Sequence, residues 1–280
     1  MKVTPDGKRK IQQEKILKIL RTYGRLTVQE AQTLLSVSCA TVRRCFADLE
    51  DQGRILRIHG GAVLAGPRKD PGSYEFQTQA LSRIPEKILI GKEAAKQIEE
   101  HDRLFFDSGT TVLECGNALS KRLCAGDLHD ITVLTNSLAY NNTLSHHCPI
   151  SLSGGTIRCD RMDLTGSAAL QGISRFHYTK AFLGADAIGE DGTLYATDEE
   201  TASLAECAIA HCDHLIILAD SGKLCKHAFV AYGKLPSEVK CTLITDSNAP
   251  FSFLSKLQKK GLQVITVLMQ EAGKSPLAIL

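Results

Sequence analysis

Five short clusters of polar residues and glycine carry side chains suited to holding an anionic, hydroxylated ligand. They are Asp107-Ser108-Gly109-Thr110-Thr111, Thr135-Asn136-Ser137, Gly154-Gly155 with Arg158 close behind, Gly184-Ala185-Asp186 and Asp220-Ser221-Gly222-Lys223. The first leads directly into a helical pattern. Free backbone N–H groups at that helix start, together with the hydroxyls, suit a phosphate. Lys223 supplies a point charge for an anion, and Asp107 and Asp186 suit sugar hydroxyls. Any one cluster could be a plain turn, because Asp, Ser and Gly also make turns.

The clusters matter because of what precedes them. Each follows a short apolar run: Arg103–Asp107 (RLFFD), Ile131–Thr135, Pro149–Ser153, Lys180–Gly184 and Leu215–Ala219. Thr242–Thr245 and Val264–Leu268 are further apolar runs. Helical patterns over Glu86–Glu100, Gly109–Leu123, Leu138–Leu144, Ser167–Phe176 and Glu199–His211 alternate with them. Repeated apolar strands with intervening helices predict a parallel α/β sheet covered on both faces. Ligands of such sheets gather at the carboxyl ends of the strands, where all five clusters fall. Gly189–Thr197 (GEDGTLYAT) breaks the alternation and reads as a small hairpin.

The N-terminal part has a different design. Lys8–Tyr23 reads as a helix, with Ile16, Leu20 and Tyr23 on one face. Thr27 and Glu30 form a capping box, and Val28, Ala31, Leu34 and Leu35 recur at helical spacing. Ser36-Val37 makes a turn. Ser38 caps a second helix whose buried stripe is Val42, Cys45, Phe46 and Leu49. Ser38, Cys39, Thr41, Arg43 and Arg44 fall largely off that stripe near the helix start, where a helix-turn-helix places the side chains that enter a major groove. Gly53 ends the helix. A hairpin follows, with Arg57 and His59 on one strand face and Gly60-Gly61 as its two-residue turn. A helix-turn-helix followed by a hairpin is a winged helix. Residues 8–64 are thus expected to be a DNA-binding domain, 65–85 a linker punctuated by Pro67, Pro71, Gly72 and Pro85, and 86–270 a second domain.

Charge supports that division. The 280 residues carry a formal net charge of +2. Residues 1–69 hold 14 Lys+Arg against 6 Asp+Glu, and the rest hold 19 against 25. A basic head on an acidic body is the electrostatic footprint of a nucleic-acid module. No apolar run reaches membrane-spanning length and no signal peptide opens the chain, so a soluble, cytoplasmic protein is expected. The ten cysteines lie singly, with no C-x-x-C pair, and read as small core residues. His146-His147-Cys148 and His211-Cys212-Asp213-His214 contain metal-ligand types. Adjacent residues rarely point at one ion, so no metal and no cofactor are expected.

The motifs SCATVRR, HGGAV, FFDSGTT, LTNS, SGGTIR, KAFLGAD and LADSGK, in this order and at this spacing, resemble those of the DeoR-type bacterial repressors of sugar and sugar-phosphate operons. The resemblance runs from about Lys8 to the last strand. It implies a winged-helix head and a sensor domain with a ribose-5-phosphate-isomerase-like fold that binds a phosphorylated sugar or related metabolite. Carried onto matching positions, the effector set is Asp107, Ser108, Gly109, Thr110, Thr111, Asn136, Ser137, Gly154, Gly155, Arg158, Asp186 and Lys223. The chain departs from the family pattern at Cys45, where an Asp usually follows the paired arginines. It departs again at Ala187, usually Gly, and at Gly222 and Leu224, usually Ser and Phe.

The expected function is a metabolite-responsive transcription regulator, a repressor of a carbohydrate operon, working as a dimer or tetramer on duplex DNA. The alternative is a sugar-phosphate isomerase fused to a DNA-binding head, with Asp107, Asp186 and Lys223 moving protons. Fold does not decide between them.

Overall fold

The computed structural model describes residues 5–58, 60–64, 74–236 and 238–269. The chain divides into two compact units, Met1–Ser73 and Tyr74–Leu280.

In the first unit, α1 (Pro5–Tyr23) begins three residues before the expected Lys8 and leads into β1 (Arg25–Thr27). The capping box opens α2 (Val28–Leu35): Thr27 Oγ1 accepts from Glu30 N–H, and Glu30 Oε2 accepts from Thr27 N–H at 2.8 Å. Ser36 makes the turn at φ +52°. Ser38 caps α3 (Cys39–Asp51) by accepting from Thr41 N–H. Gly53, at φ +65°, ends α3. Its N–H donates to Glu50 C=O and the Arg54 N–H donates to Leu49 C=O, so two of the last helical carbonyls are satisfied. Val42, Cys45, Phe46 and Leu49 pack with Ile16, Leu17, Leu20, Leu26, Ala31, Ile55 and Ala62 into one core. Leu34 is the exception to the expected apolar face of α2. It is 60% exposed, because the short helix turns only Ala31 fully inward.

The wing is β2 (Ile55–Ile58) paired antiparallel with β3 (Gly61–Leu64). Its turn is not Gly60-Gly61. Ile58 pairs with Gly61, so Gly61 is a strand residue, and Gly60, at φ +78°, belongs to the turn. Gly61 is required for another reason: β1 pairs along β3, and a Cβ on Gly61 would lie 2.5 Å from the Leu26 carbonyl oxygen. His59 lies outside the described residues.

The second unit opens with α4 (Phe76–Leu81) and α5 (Ile84–Ala95). Of the expected linker, 65–73 lies outside the described residues, and from Tyr74 onward the chain is largely helical, with Phe76 buried. Then come β4 (Arg103–Phe106), α6 (Thr110–Cys124), β5 (Thr132–Thr135), β6 (Ile150–Leu152), the hairpin β7 (Thr156–Arg158) and β8 (Asp163–Thr165), α7 (Ser167–Ser174), β9 (Tyr178–Gly184), β10 (Ala187–Ile188), β11 (Thr193–Ala196), α8 (Glu199–Ala210), β12 (Cys212–Leu218), β13 (Val230–Lys234), β14 (Lys240–Asp246), α9 (Phe251–Lys259) and β15 (Gln263–Val267). The helix expected over Leu138–Leu144 is only a 3-10 turn, Ala139–Asn142. The excursion after Gly189 is a hairpin extended by β13 into a three-stranded sheet.

Seven strands form one sheet in the order β15-β14-β12-β9-β4-β5-β6, parallel throughout. Alternate residues of each strand face opposite layers. Leu104, Phe106, Ile216 and Leu218 pack with Ile90 and Ala94 of α5 and Val112, Cys115 and Leu119 of α6. Phe105, Leu215 and Ile217 pack with residues of α7, α8 and α9. Both faces are therefore covered, as near-continuous apolar strands require.

Candidate functional site

The strand order reverses beside β4. From β4 the chain moves outward through β5 and β6, then returns to place β9 on its other side. At such a switch point the loops leaving two adjacent strand ends diverge and leave a crevice. The register brings Phe106 beside both Phe182 and Thr135, so the segments after β4, β5 and β9 start side by side. Asp107 sits at this point. Its Oδ1 accepts from Gly109 N–H and its Oδ2 from Gly184 N–H, each at 2.6 Å. Burial pushes the carboxyl up to about 7; the two N–H donors oppose that rise, and the charges of Asp186 and Asp163 add to it.

A cavity opens there, and its walls include Asp107, Ser108, Gly109, Thr110, Thr111, Asn136, Asp186 and Lys223. The helix α6 starts at this wall with no side-chain cap. Its first backbone bond runs from Leu113 N–H to Gly109 C=O, which leaves the N–H groups of Thr110, Thr111 and Val112 without acceptors inside the helix. Asn136 is 4% exposed, and its Oδ1 has no hydrogen-bond partner among the described residues. Asp186 holds Thr197 N–H and Oγ1 through Oδ2, at 2.8 and 2.9 Å. The crevice thus offers N–H donors, an ammonium and carboxylates along one lining.

Four residues of the expected set stand elsewhere. Arg158 does not line the cavity. Its guanidinium grips Asp163 with two prongs (Nε–Oδ1 2.9 Å, Nη2–Oδ2 2.7 Å) and reaches Asp198 at 2.8 Å and Thr201 at 3.0 Å. Asp163 in turn accepts from Ser108 Oγ at 3.2 Å, and Thr201 and Ser108 both line the cavity, so Arg158 bears on it through these two neighbours. Gly155, at φ +114°, is a packing residue: a Cβ there would lie 2.3 Å from Thr165 O. Gly154 shares the turn at φ +77°. Ser137 is buried and uses its Oγ to hold Ala139 N–H.

Sequence reading missed Tyr74, Gln79, Lys87, Arg161, Tyr195 and Tyr232, all on the cavity wall. Arg161 lies 4.2 Å over the Tyr74 ring and 2.8 Å from Asp198. Tyr232 OH donates to Gly184 C=O at 2.8 Å. Lys87 did leave a signal: with Ile90, Gly91 and Ala94 it keeps the helical spacing of the buried stripe, where a lysine is out of place.

On the first unit, Arg43 and Arg44 are exposed on α3 and form no ion pair with a described residue. Cys39 and Thr41 are half-buried at the helix start. Arg57 is exposed on β2, 3.7 Å from Glu50. Among the described residues no group of three His, Cys, Asp or Glu is placed to hold a metal. His214 faces Thr242 at 2.8 Å while Asp213 pairs with His177, so these neighbours point apart. No helix among the described residues is long and apolar enough to cross a membrane.

Residues 12–68 match the model of the DeoR-like helix-turn-helix domain, and residues 82–247 match that of the DeoR C terminal sensor domain. This chain belongs to the DeoR family. Similar relatives include the HTH-type transcriptional repressor GlcR of Bacillus subtilis, 34% identical over 92% of this chain and 96% of that one. The Glycerol-3-phosphate regulon repressor of Escherichia coli is 28% identical over 89% and 95%. A solved D-ribose-5-phosphate isomerase in complex with phospho-erythronic acid is 22% identical, covering 49% of this chain and 52% of that one, with a TM-score of 0.37. This DeoR-family chain is therefore a DNA-binding transcription regulator with an attached sensor domain.

Its departures from the DeoR pattern have structural consequences. Cys45 is buried against α1, its Sγ 3.9 Å from Gln12 Oε1, so the position faces the core of the head. At Gly222 a Cβ would lie 2.8 Å from Arg83 Nη1; the missing side chain makes room for that guanidinium, whose Nη2 donates to Ser221 Oγ at 2.7 Å. Leu224 is buried in the core, and Ala187 is buried in β10.

Proposed function

We propose that this DeoR-family regulator is a cytoplasmic repressor of a carbohydrate operon, relieved or strengthened by a phosphorylated sugar bound at the switch-point cavity. The cavity geometry carries the reading. The uncapped start of α6, Ser108 and Lys223 suit a phosphate through charge-assisted hydrogen bonds. The carboxylates of Asp107 and Asp186, with the Asn136 Oδ1 that has no partner among the described residues, suit hydroxyls. The Glycerol-3-phosphate regulon repressor, a relative, is named for the regulon of a phosphorylated polyol. DNA contact is assigned to Ser38, Cys39, Thr41, Arg43 and Arg44 of the second helix and to Arg57, His59, Gly60 and Gly61 of the wing, acting in a dimer or tetramer on paired half-sites.

Binding alone regulates nothing. The ligand must prefer one state of the protein, and DNA must then change ligand affinity by the same factor. The test is a titration with sugar monophosphates, following operator affinity by fluorescence anisotropy and binding by calorimetry. A coupling of about 1–3 kcal/mol is expected, with Lys223→Ala and Asp107→Ala losing the response while retaining apo DNA binding. Tight binding with no change in operator affinity would overturn the switch. Asp107, poised near neutrality, is the observation that favours catalysis instead, so each compound is also followed by NMR for turnover; none is expected.

A further inference from the structure

Lys87 is 4% exposed and lines the cavity, yet no carboxylate among the described residues forms an ion pair with it. Its ammonium donates instead to the backbone carbonyl of Gln79. That carbonyl also accepts from Ser82 N–H at 3.1 Å, at the end of α4, so Lys87 caps the last turn of this six-residue helix. Burial lowers the Lys87 pKa, and the charge of Lys223 lowers it further while Asp220 opposes. Two ammonium groups therefore bear on one cavity with no anion among the described residues bound to either.

Tyr74 and Gln79 themselves line the same cavity. Phe76 N–H donates to Asp160 C=O at 2.8 Å, and the Tyr74 ring lies under Arg161. The wall facing Lys87 is thus the stretch of chain that follows the connection from the DNA-binding unit.

We infer that Lys87 is a second cation for the effector's phosphate, and that binding draws its ammonium off Gln79, removing the cap of α4 and passing the binding event toward the connection. This rests on the proposed effector reading and adds the residue that couples it. A hydrogen bond from the ammonium to a neutral carbonyl is exchanged for one to an anionic phosphate oxygen, in which both partners carry charge. The ligand gains this only in the state where α4 has lost its cap, which supplies the differential affinity that a switch needs. An unphosphorylated sugar offers Lys87 no such exchange and leaves α4 capped.

The test is hydrogen exchange read by mass spectrometry on the full chain, alone and with inorganic phosphate, hexose and pentose monophosphates, and the matching unphosphorylated sugars. A bound ester slows exchange at 110–112 and speeds it at 79–82 by about tenfold, the factor expected for losing a hydrogen bond to a charged group. The Lys87→Gln variant exchanges rapidly at 79–82 without ligand, shows no further rise, and binds the ester at least about tenfold more weakly. Should it not fold, the wild-type pattern decides alone, with Lys87→Arg expected to retain the response. Slowing at 110–112 with no change at 79–82 overturns this inference and leaves the effector reading standing. No change at 110–112 with any ester overturns the effector reading and this inference with it.

Discussion

Arg158 and Asp163 are locked together by two parallel hydrogen bonds, 2.9 and 2.7 Å, with the Asp163 side chain 1% exposed. A guanidinium and a carboxylate in this geometry match both charge and shape. Removing one partner leaves the other charge buried and unpaired. Arg158→Ala should destabilise the second unit by about 3–5 kcal/mol, whereas Lys223→Ala should change stability by less than about 0.5 kcal/mol. Urea denaturation of both variants compares them. Equal stabilities would show that Arg158 is free to serve a ligand, as its place behind the Gly-Gly turn first suggests.

Arg43 and Arg44 are expected to carry most of the DNA readout. An arginine that reads a base edge should cost about 1–3 kcal/mol when replaced by alanine and relax specificity at one position. An arginine that touches only phosphate should weaken all sequences alike and reduce the salt slope by about one. Binding to operator and scrambled duplex over a salt series separates the two. An unaltered double variant would remove α3 from the interface.

The two wing glycines should respond differently to alanine. Gly60 has open space for a Cβ and only its positive φ to accommodate, a cost of about 1 kcal/mol. At Gly61 the Cβ would run into the Leu26 carbonyl, forcing β1 away from β3 at about 1–3 kcal/mol. Thermal unfolding by circular dichroism should therefore rank Gly61→Ala below Gly60→Ala. Operator binding should follow the same order.

His214 gives the second unit an acid-labile element. Burial pushes its imidazole down to about 4, helped by the charges of Lys240 and Lys180 and opposed by Asp102 and Glu99. The folded value lies below the unfolded value of about 6.5. Below that pH the unfolded chain binds a proton that the folded chain refuses, so stability is retained above about 6.5 and lost as pH falls toward 4. His214→Gln should remove roughly 2–3 kcal/mol of the loss between pH 7.5 and 4.5. Parallel slopes for the two proteins would contradict this.

Short-range chemistry was legible in the sequence. The Thr27–Glu30 box, the Ser38 cap and the Gly53 terminator act over three to five residues, and each forms as its sequence predicts. The stripe Val42, Cys45, Phe46 and Leu49 is buried because helical period fixes which side chains share a face. The apolar runs of the second unit became strands of one parallel sheet, since only a sheet covered on both faces buries such runs. The polar clusters stand at their carboxyl ends for the same local reason.

Period assigns a face, however, and not a neighbour. Strand order alone put β9 beside β4 and so joined Asp107 to Gly184 and Asp186, while Arg158, in a hairpin off the main sheet, was turned to Asp163. The register of β1 along β3 decided that Gly61 serves a close backbone approach. Docking of Phe76 and capping by Lys87 made helix of residues that read as linker, because six residues gain too little alone to hold a helix in water. The composition of the cavity is thus a property of long-range packing: eight of the twelve residues that the sequence marked line it, and Tyr74, Gln79, Lys87 and Arg161, which it did not mark, join them only when the chain is folded.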